Sequence, residues 1–327
     1  MKRNLRTLSL ALWLVVVFLV SVSTAAPIVM RLAETHPQDY PTAKGDYEFA
    51  RLVKERTNGR IVVEVFHSKQ LGEEKPVIEQ VQLGAIEITR VSISPVSAFL
   101  QDLDAFQLPY LYRDADHMWK VLNGPIGEEI FKKLESSNFV GLGWFESGSR
   151  NFYTKKPVKT VGDLKGMKIR VQQSPLMVGL VEGLGAVATP LDFGAVYSAL
   201  QTGVVDGAEN NWPSYLSTSH YEVAKYLITD EHTRVPEIII GSKKVFDKLS
   251  KEDRAIVLKA AKDAVPYQIK LWNEYEKMAE KTVREKGSTI TEVSPAEKQK
   301  FMDAMKPLYA KQPAGVLSVV DKIRAVK

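Results

Sequence analysis

The chain of 327 residues contains no cysteine. Disulfides, thiol nucleophiles and cysteine-bound metals are therefore excluded, as is a lipid anchor on an N-terminal cysteine. Histidine is scarce, and the five present (His36, His67, His117, His220 and His232) show no paired metal-ligand spacing. No Gly-x-Ser-x-Gly elbow occurs, and nothing reads as an ATP site. Gly183-x-Gly185-x-x-Ala188 fits a loose dinucleotide fingerprint. It ends a helical stretch and leads into Thr189-Pro190, whereas that fingerprint must join a strand to a helix N-terminus that meets the pyrophosphate. There is no internal repeat and no low-complexity stretch.

What is present begins with an export signal. Lys2, Arg3 and Arg6 precede an apolar run from Leu8 to Val22, then the small residues Ser23, Thr24, Ala25 and Ala26. This is the pattern of a secretory signal peptide, residues 1–25, with cleavage expected between Ala25 and Ala26. A retained membrane anchor is disfavoured, because the run is shorter than the ~20 residues a spanning helix needs. An exported protein without disulfides relies on its core, and about 300 mature residues suffice for two domains. The chain carries 44 basic and 39 acidic side chains, a net charge of +5 that falls to +2 without the three basic residues of the signal. That excess is too small to point to nucleic acid.

The order of elements reads as a βαβ series. Val29–Ala33 is a short apolar strand. Thr42 is a candidate cap for a helix with Phe49, Leu52 and Val53 on its apolar face, stopped at Asn58-Gly59. Strand-like Ile61–Phe66 is followed by a helix that buries Val77, Ile78 and Val81, then by a strand at Ile86–Val91. A long helix is expected over Met118–Leu134. The grammar then restarts with strands at Val140–Trp144, Met167–Val171 and Val204–Val205, and a return strand at Ile238–Gly241. Crossing between domains is expected near Ser147–Arg150. From Ser250, which forms a capping-box-like pair with Asp253, a helical pattern runs to Lys286 with Pro266 inside it. The expected division is 26–147 with 236–272 as domain I, and 148–235 with 273–327 as domain II.

One arginine stands out. Arg170 lies on a short strand among Met167, Ile169 and Val171. A guanidinium there needs an anionic partner, and its planar fork of donors suits a carboxylate. Glu209, Asn210 and Asn211 cluster further on. An arginine and amides converging at strand ends describe a site for a small organic acid. An edge position or a structural ion pair is the alternative on these residues alone.

Lys165–Arg170, Tyr197–Gln201 and Val205–Asn210 together resemble the hallmark motifs of the solute receptors of TRAP transporters, periplasmic proteins that hand organic acids to a membrane permease. The resemblance runs from about Val29 to the C-terminus. It implies an α/β, two-domain periplasmic-binding-protein fold with discontinuous domains, a ligand cleft between them and a long helix spanning both. It also implies a non-enzymatic role without cofactor or metal, a monomer, and a two-part permease driven by an ion gradient as partner. By resemblance Arg170 is the carboxylate clamp, Arg150 the second ligand-binding arginine, Asn210 the ligand-binding asparagine and Phe193 an aromatic against the ligand. Glu74 aligns with an acidic pocket residue. Asn211 stands where proline is frequent, as in the receptors for sugar acids. His36, Gln172, Tyr215 and His232 are further candidates.

Ser92 stands near the position of an acidic residue in the sialic-acid receptors of this family, which argues against sialic acid. Arg90, two residues earlier on the same strand face, either adds charge to the pocket or pairs with an acid. The ligand expected is a hexuronate such as glucuronate or galacturonate, on the likeness of Gly207–Tyr215 to the uronate-binding branch. The alternatives are a receptor for a C4-dicarboxylate or another organic acid, and a secreted hydrolase of acidic sugars. For the hydrolase, Glu73 and Glu74 point ~100° apart on a helix start and cannot flank one bond; a distant second carboxylate such as Glu209 would be needed.

Overall fold

The computed structural model describes residues 26–327, so the expected signal segment lies outside the described residues. The chain builds two sheets. The first has the order β2-β1-β3-β10-β4, from β1 (Ile28–Glu34), β2 (Ile61–Phe66), β3 (Ile88–Ser92), β4 (Phe139–Phe145) and β10 (Glu237–Ser242). Its β2, β1 and β3 are parallel, and β10 enters antiparallel between β3 and β4. The second has the order β11-β9-β5-β8-β6-β7, from β5 (Ser149–Thr154), β6 (Lys168–Val171), β7 (Val187–Pro190), β8 (Gly207–Asn210), β9 (Tyr226–Arg234) and β11 (Thr289–Thr291). Buried aliphatic and aromatic side chains fill the layers between sheets and helices.

The chain passes between sheets twice in strand-to-strand crossings, from β4 to β5 and from β9 to β10. At the first, Glu146-Ser147-Gly148 lies against the helix Lys251–Glu285. The amide of the fully buried Gln268 grips this segment from the helix, accepting from Glu146 N at 2.8 Å and donating to Glu146 O at 2.9 Å. Ser147 Oγ donates to Val235 O, tying the two crossings together. Gly148 is in the left-handed region at φ +62, and a Cβ there would lie 2.2 Å from Glu276 Oε1. The Glu276 carboxylate is the end of a flexible side chain and can give way, so it is the left-handed backbone that favours glycine there.

The long helix has 35 residues, about 52 Å at ~1.5 Å rise. Ser250 Oγ caps it by accepting from Asp253 N; Asp253 itself turns to Arg60. Its Val257, Ala260 and Ala261 belong to the core of the first sheet, and its Ala279 and Val283 to that of the second. It therefore spans both lobes. The last helix, Ala314–Ala325, packs on Gln101–Phe106 and Pro125–Leu134 beside the first sheet. This departs from the expectation that everything from 273 to 327 stays with the second lobe.

Three local expectations are corrected. Thr42 is not the cap: Tyr40 occupies that position before Pro41, and Thr42 Oγ1 donates to Glu34 Oε2 at 3.0 Å. Met118–Leu134 is two helices, Ala115–Leu122 and Pro125–Leu134, because Pro125 starts a new helix after Gly124. The strand expected at Val204–Val205 lies at Gly207–Asn210, and Val204 is exposed.

Candidate functional site

Strand ends of both sheets meet across a narrow cleft, and charge is distributed there unevenly. Arg150, on β5, is buried and held by Glu209 of the neighbouring β8. Its Nε and Nη2 pair with the Glu209 carboxylate, its Nη2 also donates to Glu209 O at 2.8 Å, and its Nη1 donates to Asn210 Oδ1 at 3.1 Å. Four of the five N–H donors of a guanidinium are thus engaged within the lobe. Glu209 is itself 3.4 Å from His232 Nε2, and His232 Nδ1 bonds Asp230 Oδ2 at 2.7 Å. Burial disfavours charge on His232, but Asp230 and Glu209 outweigh it and raise its pKa to about 9. Burial pushes the Glu209 carboxyl up, while Arg150 and His232 bring it down to about 2. Asp230, His232, Glu209 and Arg150 form one buried ionic chain that fixes the Arg150 guanidinium.

Arg170 differs. It is 3 % exposed, and its Nε and Nη2 donate only to the carbonyl of Leu191, at 3.0 and 2.7 Å. Among the described residues no carboxylate forms an ion pair with it. Arg170 borders a small gap of about 10 Å³ together with Glu74, Gln172, Leu191 and Phe193. Burial lowers its pKa, with Glu209 opposing and Arg150 adding repulsion. A buried guanidinium without an anion is costly unless an anion is supplied.

The other expected residues fall into three groups. Gln172 and Phe193 border the gap with Arg170, and the Gln172 Oε1 is buried without a partner among the described residues. Phe193 presents its ring to His36 across the cleft, centroids 5.0 Å apart. His36 stacks on Tyr40 at 3.9 Å, and its buried Nδ1 has no partner among the described residues; burial, with Lys69 adding to it, lowers its pKa to about 3, so it is neutral. Glu74 accepts from Ser92 N at 3.0 Å, and burial, then Glu237, push its pKa up to about 8. Asn210 holds Arg150 and also accepts from Asn211 N at 2.9 Å.

A second group has its polar atoms engaged elsewhere. Asn211 Oδ1 caps the helix Trp212–Ser217 by accepting from Ser214 N at 2.8 Å. His232 acts on Arg150 through Glu209.

The third group is displaced from the site. Tyr215 lies in the core of the second lobe, against Tyr153, with its hydroxyl donating to Ala224 O at 2.7 Å. Arg90 is fully buried and bound by two carboxylates, Glu34 and Glu237, the latter at 2.6 Å, so it brings no free charge to the cleft.

Sequence reasoning missed Tyr40, which bonds Ser214 Oγ across the cleft at 2.9 Å, and the anchoring role of Glu209. The second was within reach, because a buried strand arginine implies an acid nearby. Which acid depends on strand register. The first depends on lobe closure and leaves no sequence signal.

Two α/β lobes joined by strand crossings, with a buried cation in the cleft between them, define a solute-binding receptor of the hinged, two-lobed kind. The chain belongs to the family described as bacterial extracellular solute-binding protein, family 7, which residues 32–314 match. A solute-binding protein of Chromohalobacter salexigens is 37% identical over 292 residues, 89% of this chain and 86% of the relative. A TRAP periplasmic solute-binding protein from Bradyrhizobium sp. BTAi1, solved in complex with α/β-D-galacturonate, is 47% identical, with a TM-score of 0.88 over 90% of this chain and 99% of that one. One from Pseudomonas putida F1, with bound D-glucuronate, is 38% identical, with a TM-score of 0.89 over 92% of this chain and 98% of that one. The chain is a receptor and not an enzyme.

Proposed function

We propose that this chain is the periplasmic receptor of a TRAP transporter and that its ligand is a hexuronate of the galacturonate or glucuronate type. The observation that carries the proposal is Arg170, a buried guanidinium whose only acceptor among the described residues is a backbone carbonyl. A sugar carboxylate supplies the missing charge, bound by two parallel N–H···O bonds. Arg150 has one donor left for the same group. Gln172, Asn210 and Glu74 are suited to ring hydroxyls, and Phe193 and His36 to the apolar ring face. The likeness to receptors solved with uronates supports the same class of ligand.

A C4-dicarboxylate is the second reading. It requires another cation for its second carboxylate, and Arg90 is already neutralised by Glu34 and Glu237. Glu74, its pKa raised to about 8 by burial, offers a hydrogen-bonding group and no positive charge for that second carboxylate.

In this reading residues 1–25 are removed on export, the mature chain acts as a monomer, and it delivers its ligand to the two-part permease. The expected domain division is kept, with 314–325 moved to the first lobe. A thermal-shift screen of galacturonate, glucuronate, aldonates, succinate and malate tests the ligand class. Hexuronates should stabilise the protein most. Stabilisation by succinate or malate with no response to any hexuronate would overturn the ligand while leaving the receptor class intact.

A further inference from the structure

Tyr40 lies buried in the first lobe, just before the helix Pro41–Arg56. Both partners of its hydroxyl among the described residues belong to the second lobe. The oxygen is 2.9 Å from Ser214 Oγ and donates to Asn211 Oδ1 at 3.4 Å. Ser214 and Asn211 are buried as well, and the start of the helix Trp212–Ser217 fixes them, with Asn211 Oδ1 accepting from Ser214 N. Each end of this contact leads toward the cleft. In the first lobe the Tyr40 ring lies flat on His36, with centroids 3.9 Å and planes 10° apart, and His36 meets Phe193 of the second lobe. Trp272 and Tyr275 of the long helix approach the same Tyr40 ring at 5.9 Å each, so it has little freedom to turn away. In the second lobe Asn211 N donates to Asn210 Oδ1, the oxygen that also accepts from Arg150 Nη1. The hydroxyl thus stands between an aromatic wall of the cleft and the amide that positions an arginine.

We propose that Tyr40 is the positioning residue that latches the lobes: its hydroxyl bonds Ser214 and Asn211 only in the closed receptor, and so sets how long a ligand is held. The proposal deepens the reading of the chain as a hinged receptor and does not rest on which acid is bound. With the lobes apart, water satisfies the hydroxyl, Ser214 and Asn211 separately. Closing exchanges those waters for contacts inside a dry interface, where a phenol hydroxyl needs a partner. Without the Tyr40 hydroxyl, Ser214 Oγ loses its only partner among the described residues, and the cost falls on the closed state alone. A contact made after encounter governs escape of the ligand and not its arrival.

The test compares the parent with Tyr40→Phe, which keeps the ring and its stacking, with Ser214→Ala, and with the double variant. Stopped-flow tryptophan fluorescence with galacturonate gives the rates, and calorimetry gives the melting of each ligand-free protein. We expect Tyr40→Phe to release galacturonate roughly tenfold faster, the worth of one net hydrogen bond. Its association rate should stay within about twofold of the parent. Ser214→Ala should act in the same direction, and the double variant should be no worse than Tyr40→Phe alone, as for two partners of one bond. Ligand-free Tyr40→Phe should melt within about one degree of the parent, because the hydroxyl is solvated while the lobes are apart. The proposal is overturned if Tyr40→Phe leaves the release rate unchanged, if it slows association instead, or if the two single effects add in the double variant. It is also overturned if ligand-free Tyr40→Phe melts several degrees lower, the mark of a contact that persists in the open protein. Should galacturonate not bind the parent at all, the hexuronate reading fails, and the melting comparison still separates a latch from a permanent contact.

Discussion

Two buried arginines, Arg90 and Arg170, lie on strands of opposite lobes and differ in what surrounds them. Arg90 neutralises Glu34 and Glu237. Removing it leaves two buried carboxylates uncompensated, a loss of roughly 3–5 kcal/mol for a broken buried pair. We expect Arg90→Met to lower the melting temperature sharply. Arg170 neutralises nothing in its own lobe and is buried without an anion, so Arg170→Met should leave the ligand-free protein at least as stable as the parent. Calorimetric melting of both variants checks the contrast, and equal destabilisation would contradict it. His232 adds a pH dependence. Its pKa is about 9 in the folded protein against an ordinary 6.5. Below 6.5 both folded and unfolded chains hold the proton and the contribution is complete. Between 6.5 and 9 only the folded chain holds it, so stability falls as pH rises through that window, by about 3 kcal/mol in all. Glu74, raised to about 8 from 4.5, acts in the same direction from a lower pH. Urea melts between pH 6 and 9.5 should show the decline, and His232→Gln should flatten it.

Among the elements, the contact between the long helix and the first crossing is the most exposed to a single change. Gln268 satisfies both the N–H and the C=O of Glu146 inside the protein. Gln268→Leu keeps the volume and leaves both groups unpaired, at about 1–3 kcal/mol each. We expect a lower urea midpoint with the slope unchanged; an unaltered midpoint would show that the crossing is held by other contacts. Elements with a strong local signature were legible from the chain alone. Ile61–Phe66 is β-branched and falls where expected, and Ser250 caps the long helix as its position before a helical run suggests. The break at Gly124-Pro125 was also written in the chain, as a turn signal outweighed by the apolar period on either side. Strand β8 was not legible. Its Gly-Ala-Glu-Asn has no β-branched residue, and it is a strand because β5 and β6 flank it. A Cβ on Gly207 would lie 2.6 Å from Thr154 Cγ2, so close packing selects the residue there, not strand propensity. The site divides the same way. The strand position of Arg170 was readable from its apolar neighbours, whereas the pairing of Arg90 with Glu34 and Glu237 and the core position of Tyr215 depend on register and lobe packing.

At the scale of the whole molecule the lobes are closed. Tyr40 reaches Ser214 at 2.9 Å, His36 meets Phe193, and Gly194 N donates to Glu73 Oε2 at 3.4 Å. The gap at Arg170 measures only about 10 Å³, far below the 300–1,000 Å³ of ordinary ligand pockets, so a small-molecule ligand enters only when the lobes part. Closure around it then excludes water and strengthens each arginine–carboxylate contact. Small-angle scattering should show a smaller radius of gyration with saturating hexuronate than without; superimposable curves would contradict the hinge. The most direct test of the carboxylate clamp is calorimetric titration of the parent and of Arg170→Ala with galacturonate and with galactose, which has the same ring hydroxyls but no carboxylate. We expect the parent to bind galacturonate and not galactose. Arg170→Ala should bind galacturonate on the order of a hundred- to a few-thousand-fold more weakly, the loss expected for one partner of a buried charge pair. Galactose binding as tightly as galacturonate, or Arg170→Ala binding galacturonate within about threefold of the parent, would contradict the assignment of Arg170.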